Sequence, residues 1–270
     1  MSNRYKMLLA ILLIVFISLF FYTKTLIIDD EDGILGIYNR PFNDYVVFYP
    51  QHQDDEVLWG GSAIVEAIDQ KGADNVYVVL VSDGSGVNVF NKDKYKDLSR
   101  KEKAKLRNNE FKAALKDLGI KEENTIILSD IDNIEGTHFE LMKSVALDFE
   151  KRFKSVTHVA HSYKYDNHPM HIKNGKVIQK LYSDKKIKDA MYFLKPEYVK
   201  KVKSLNRIMY ISDNEEDYKR VKQACMEYKI IDEKLSRHGI GYISAHSYFD
   251  KLLRDKNLTS VLHLPLTNKE

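Results

Sequence analysis

Tyr45-Val46-Val47-Phe48-Tyr49 is an unbroken apolar and aromatic run that stops at Pro50. Within residues 55–71, which follow closely, Val57, Leu58, Ala63, Ile64, Ala67 and Ile68 recur on one face at helical spacing. A buried strand followed by an amphipathic helix is therefore expected. The same alternation continues along the chain: strands are expected at 76–81, 125–128, 157–160 and 208–211, with helices at 99–118, 139–153 and 215–228. Gly119 is placed to end the 99–118 helix as its C-cap. Strands separated by helices pair in parallel through right-handed crossovers, so the expected fold is α/β. It is a Rossmann-like, mostly parallel sheet with helices on both faces. Such sheets bind ligands beyond the carboxyl ends of their strands, and polar clusters there carry the functional information.

The chain has 270 residues, 30% charged and 44% hydrophobic, which suits a globular protein and excludes wholesale disorder or a collagen-like chain. Its net charge of +3 comes from 42 basic and 39 acidic residues. Arg4, Lys6 and Lys24, which precede every acid, account for the whole excess. The remainder is formally neutral, and its Lys-rich stretch 91–105 alternates with acids as solvated faces do. No nucleic-acid partner is expected.

Residues 7–23 (MLLAILLIVFISLFFYT) carry no charge. Seventeen helical residues span roughly 25 Å, the short end of a bilayer crossing, and Lys6 and Lys24 can snorkel at its ends. The exit, FFYTKT, lacks the small-residue pair of a cleavage site, so a single-pass transmembrane helix is expected over a cleaved secretion signal. Basic Arg4 and Lys6 before the span, against acidic Asp29 to Asp32 after it, place the N-terminus in the cytoplasm and the rest outside the cell membrane. The expected organisation is a membrane anchor at 1–28, a linker at 29–43 and one domain at 44–270. The lone Cys225 has no partner for an internal disulfide.

The first strand runs into Gln51-His52-Gln53-Asp54-Asp55-Glu56. Imidazole and carboxylate together suit zinc, and a catalytic zinc keeps one position open for water. His52 and Asp55 can converge on one ion, leaving Asp54 to take a proton from water. Alternatively, the two acids cap the helix and favour its dipole, which leaves His52 unexplained. A second cluster follows the strand at 157–160 and holds His161, Tyr165, Asp166, His168 and His171. His171 can supply a third ligand, with His168 free as an acid or oxyanion donor.

HQDDE at 52–56 followed by HPMH at 168–171 resembles the HPDDE and HPDH signatures of the LmbE/PIG-L-like deacetylases, zinc hydrolases that remove acetyl from N-acetylglucosamine units. The resemblance extends over roughly residues 45–230, through Ser82-Asp83-Gly84 and Leu106-Arg107-Asn108-Asn109-Glu110. It implies His52, Asp55 and His171 as ligands of zinc, or of another divalent metal such as iron(II). It implies Asp54 as general base and His168 as acid or oxyanion donor. Arg107 would reach substrate or brace the site, unless it is a solvated helix charge paired with Glu110. Tyr165 stands one residue from the family's oxyanion-holding tyrosine. Gln53 replaces the motif's proline, which frees φ and is expected to loosen the loop. Met170 replaces an acid that would orient His168, and Asp166 could substitute for it. The implied activity is removal of acetyl from an N-acetylated amino sugar in a surface glycan, wall fragment or glycolipid. The alternatives are hydrolysis of another amide, or an inactive membrane-tethered carbohydrate-binding protein.

Overall fold

The computed structural model describes residues 27–29, 35–132 and 134–266. The apolar stretch 7–23 lies outside them, and among the described residues no helix is long and apolar enough to cross a membrane. Eleven strands are described: β1 (Ile27–Asp29), β2 (Leu35–Tyr38), β3 (Tyr45–Phe48), β4 (Val76–Leu80), β5 (Thr125–Ile127), β6 (Val156–His161), β7 (Ala190–Phe193), β8 (Arg207–Tyr210), β9 (Ile231–Asp232), β10 (Arg237–His238) and β11 (Ser260–His263). The helices are α1 (Asp55–Lys71), α2 (Arg100–Leu118), α3 (Leu128–Asp132), α4 (Phe139–Arg152), α5 (Pro169–Ser183), α6 (Glu215–Glu227) and α7 (Ile240–Leu252), with short 3-10 turns between.

Nine strands form one sheet in the order β1-β2-β8-β11-β7-β6-β3-β4-β5. Five neighbouring pairs are parallel, and the antiparallel ones involve β1 or β11. The sheet is mostly parallel, as expected. It also takes in β1 and β2 from the stretch anticipated as anchor end and linker, since β2 pairs with β8. Strands β7 and β11 and helix α7 have no counterpart among the elements expected from the sequence.

Side chains of the parallel strands alternate between two cores, as a sheet covered on both faces requires. Val46, Phe48, Val78, Leu80, Val159 and Phe193 pack with α1, α2, α6 and α7. Val47, Tyr49, Val79, Ala160 and Tyr192 pack with α4 and α5. Helix α2 starts on a capping box between Ser99 and Glu102 and ends at Gly119, whose φ of 93° is the left-handed conformation expected of its C-cap.

The chain runs from β3 outward through β4 to β5, then returns to place β6 on the other side of β3, paired in parallel from Tyr45↔Val156 to Phe48↔Val159. The order reverses there, and the carboxyl ends of the two strands open a crevice. The HQDDE segment leaves β3 and the histidine-rich segment leaves β6. Topology thus brings together clusters more than 100 residues apart.

The loop after β6 is fastened from below by His263 at the end of β11. Its Nδ1–H donates to the Leu264 carbonyl at 2.7 Å, and its Nε2 accepts from the Ser162 hydroxyl at 2.9 Å. Ser162 Oγ in turn accepts the Tyr165 backbone N–H at 2.9 Å. Burial lowers His263 to about 4, against an ordinary value of about 6.5. The unfolded chain therefore takes up a proton that the folded one refuses, so the contribution of His263 to stability is full above about pH 6.5 and is lost as pH drops towards 4. That contribution is about 3 kcal/mol. Denaturant midpoints between pH 7 and 4.5 should fall more steeply for the wild type than for His263→Gln; equal slopes would refute the assignment.

Candidate metal centre and active site

Asp55 is the first residue of α1, and its Oδ2 accepts the His52 backbone N–H at 2.8 Å, which folds the end of β3 back onto the helix. The His52 ring then meets the His171 ring, carried in the first turn of α5. His52 Nδ1 lies 3.1 Å from His171 Nε2 and 3.4 Å from Asp55 Oδ2, and His171 Nε2 lies 3.3 Å from Asp55 Oδ2. A tetrahedral ion with ligands at about 2.0–2.1 Å holds their donor atoms about 3.3 Å apart. The triangle has the dimensions of a metal site. It brings together the three expected ligands.

Electrostatics agree with cation binding. Burial opposes a charged imidazole at His171, but Asp55 and Asp166 outweigh it and push His171 up to about 9. Burial likewise opposes ionised Asp55, yet His171 and His161 hold its carboxyl well below the usual range. The pocket favours positive charge at the point where His52, Asp55 and His171 converge. A divalent ion can take the place of that proton.

Asp54 sits beside the triangle with φ at 112°, a left-handed conformation that costs a non-glycine residue about 1–3 kcal/mol. Three contacts hold it there. Its N–H donates to Glu56 Oε2 at 3.0 Å; Arg107 Nη2 donates to Asp54 Oδ2 at 3.1 Å; the same guanidinium also donates to the Gln53 carbonyl. Arg107 is buried, so it braces Asp54 rather than standing as a solvated helix charge. Glu110 instead accepts the Ile240 and Gly241 N–H groups and anchors the start of α7. Burial raises Asp54, as does neighbouring Asp55, against the pull of Arg107 and His52; the outcome is about 6. Burial pushes Glu56 up to about 8, and the Tyr228 hydroxyl donates a hydrogen bond to its Oε1.

Gln53 does not loosen the loop. It is fully buried, and its Nε2 donates to the Asp83 carbonyl at 3.1 Å and to Asn108 Oδ1 at 2.7 Å. Its Oε1 lies only 2.0 Å from where a side chain on Gly84 would begin, and Gly84 has φ of 67°. Polar contacts to two neighbouring segments replace the fixed φ of proline.

Asp166 acts on His171 rather than on the His168 ring. Its Oδ2 bonds His171 Nδ1 at 3.0 Å, which leaves Nε2 facing the triangle, and its Oδ1 accepts the His168 backbone N–H at 2.7 Å. His168 caps α5, with Nδ1 accepting the Met170 N–H at 3.3 Å, and burial with the nearby His171 and His52 lowers it to about 4. Tyr165 is not brought to the site: its ring packs against Leu194, Val199 and Val202.

A cavity of about 470 Å³ covers the triangle. Its walls include Trp59, Lys195 and, from α7, Ser244, Ala245 and Tyr248. None of these residues lies in either of the two sequence clusters. Trp59 stands one helical turn after Asp55, a spacing that signals a shared face. The others carry no local signal. His161 stands in the second cluster with no role expected of it: it is buried, stacks on His171 with ring centroids 3.9 Å apart, and lies 3.2 Å from Asp55 Oδ2. Asp55, His161 and His171 form one candidate metal group, and His52, His168 and His171 another.

The solved structures that share the fold include two deacetylases. One is a deacetylase of teicoplanin biosynthesis, a triple mutant, at 14% identity and TM-score 0.51 over 82% of this chain and 97% of that one. The other is an antimicrobial pseudoaglycone deacetylase at 13% identity and TM-score 0.50, covering 82% and 96%. No curated protein matches the chain in sequence. The model of the family described as PIG-L, GlcNAc-PI de-N-acetylase, matches residues 46–182, just over half of the chain. That span contains both strand-end clusters, and the chain belongs to the PIG-L family.

Proposed function

We propose that this protein is a zinc-dependent N-deacetylase that hydrolyses the acetamide of an N-acetylated amino sugar to a free amine and acetate. The observation that carries the proposal is the convergence of His52, Asp55 and His171 beside buried, braced Asp54 in one cavity. Family membership supports deacetylation. His52, Asp55 and His171 would hold the ion, and their imidazole–carboxylate set fits zinc, with iron(II) as the alternative. The chemistry available from such an ion is Lewis acidity, which lowers the pKa of water towards about 7 and polarises an amide carbonyl.

The side chains supply the rest. Asp54, ionised at neutral pH, accepts a proton from the attacking water and delivers it to the departing nitrogen. Its position near 6 suits both transfers. Neutral His168 accepts at Nδ1, so its proton is on Nε2, where it donates a hydrogen bond to the developing oxyanion. Arg107 keeps the Asp54 carboxylate aimed into the cavity. Trp59 and Tyr248 offer aromatic walls suited to the apolar face of a sugar ring.

The apolar stretch 7–23 and the basic residues before it support a membrane tether with the domain outside, which directs attention to surface glycans, wall fragments and glycolipids. Zinc-loaded protein should release acetate and free amine in equal amounts from at least one N-acetylated member of such a panel. Glycan binding without acetate release from any of them would instead indicate a binding protein.

A further inference from the structure

We infer that Trp59, Lys195 and Asp166 form a supporting arch that ties Asp55 to His171 and sets how tightly the site holds its metal. The inference rests on the reading of His52, Asp55 and His171 as ligands. Asp55 divides its two oxygens. Oδ2 faces His52, His161 and His171, while Oδ1 turns away and accepts the Trp59 Nε1–H at 2.8 Å. With Oδ1 engaged, the carboxylate presents a single oxygen to an ion, in one fixed orientation. The Trp59 ring continues the path. Lys195 Nζ lies 5.4 Å from its centroid and 5.9 Å from that of Tyr248, and the two rings meet edge-on at 4.9 Å.

Lys195 is buried, and an ammonium buried without partners is costly. Besides the two ring faces, its partners are Asp166 Oδ1 and Asn167 Oδ1, each at 2.8 Å. The other oxygen of Asp166 receives His171 Nδ1 at 3.0 Å, which aims Nε2 at the triangle. Beginning at Asp55 and ending at His171, the contacts close an arch around two of the three ligands. Removing the indole N–H frees the carboxylate to rotate. Removing the ammonium leaves Asp166 with less to hold it against His171.

Trp59 is the only tryptophan in the chain, so its emission reports on the site directly. Zinc added to the metal-free wild-type protein should change that emission and saturate at one equivalent. Trp59→Phe keeps an aromatic ring and loses the indole N–H together with part of the ring volume; Lys195→Met keeps most of the stem and loses the charge. In competition with a chelating dye, each should bind zinc about 10–100-fold more weakly. The double variant should lose less than the product of the single losses, because both act through one arch. Lys195→Arg should recover most of the affinity. Unchanged zinc affinity in Lys195→Met, or losses that simply multiply, would overturn the arch while leaving the metal site standing. A wild-type protein that binds no zinc by emission or by dye would overturn both. Should Trp59→Phe not fold, the wild-type emission and the Lys195→Met and Lys195→Arg pair decide the matter.

Discussion

Asp54→Asn is expected to lower the turnover of acetate release by about 10²–10⁴-fold, with zinc content unchanged and KM little altered. The carboxamide has nearly the volume of the carboxylate and still offers an oxygen to Arg107 Nη2, 3.1 Å away in the wild type. It therefore keeps the brace and the left-handed backbone in place. What it loses is the ability to hold a proton between water and the leaving nitrogen. Asp54 does not belong to the ligand triangle, so metal binding should survive. Steady-state kinetics alongside metal analysis separates the two effects. Turnover within about threefold of wild type would remove Asp54 from the chemistry, and loss of zinc in parallel would make it part of the metal site.

Gly175→Ala is expected to destabilise the fold by about 3 kcal/mol or more, the upper range for overpacking. Gly175 lies in α5, where alanine ordinarily gains about 1 kcal/mol over glycine. Here a Cβ would sit 2.1 Å from the His161 carbonyl oxygen and 2.6 Å from the Tyr163 nitrogen. Both are backbone atoms of the segment that leads from β6 into the histidine cluster, and neither can step aside as a flexible side chain would. The steric term exceeds the propensity term. A thermal midpoint lower by roughly 6 °C or more would follow. An equal or higher midpoint would mean that α5 and this segment are further apart than described. Even a folded variant should hold zinc less well, because the same displacement moves His171 away from His52.

Much of this architecture is written in local pattern. The apolar runs at β3, β4 and β6 and the helical faces of α1, α2 and α6 are legible because both cores depend on residue periodicity, which sequence displays directly. The helix ends at Ser99 and Gly119 are legible for the same reason: capping is a local affair. Strand β11 was not, since its four residues (SVLH) become a strand only because β7 and β8 bind it from both sides. Strand β7, AMYF, offered an apolar run of the same brevity. Helix α7 shows a weak face and bends at Ala245, where φ is −132°.

The site divides in the same way. His52, Asp54, Asp55, His168 and His171 stand in two short segments whose composition is unusual, and both follow strands. Their meeting requires only that β3 and β6 be neighbours. Arg107 was legible as a position and not as a role: burial turns a helix-surface charge into the brace of Asp54. Trp59, His161 and Lys195 derive their roles from tertiary neighbours, and one sequence seen alone does not display those. Tyr165 shows the reverse. Its nearness in sequence suggested the oxyanion, yet the loop turns its ring into the Leu194 cluster and presents Asp166 to His171 instead.

The most direct test is metal removal and return. The protein should be stripped with a chelator, assayed for acetate release from an N-acetylated amino sugar that the intact protein hydrolyses, and then titrated with zinc. We predict activity that disappears with the metal and returns in full at one equivalent, with His171→Ala inactive throughout and unable to retain zinc. Full activity in the metal-free protein, or in His171→Ala, would contradict the account.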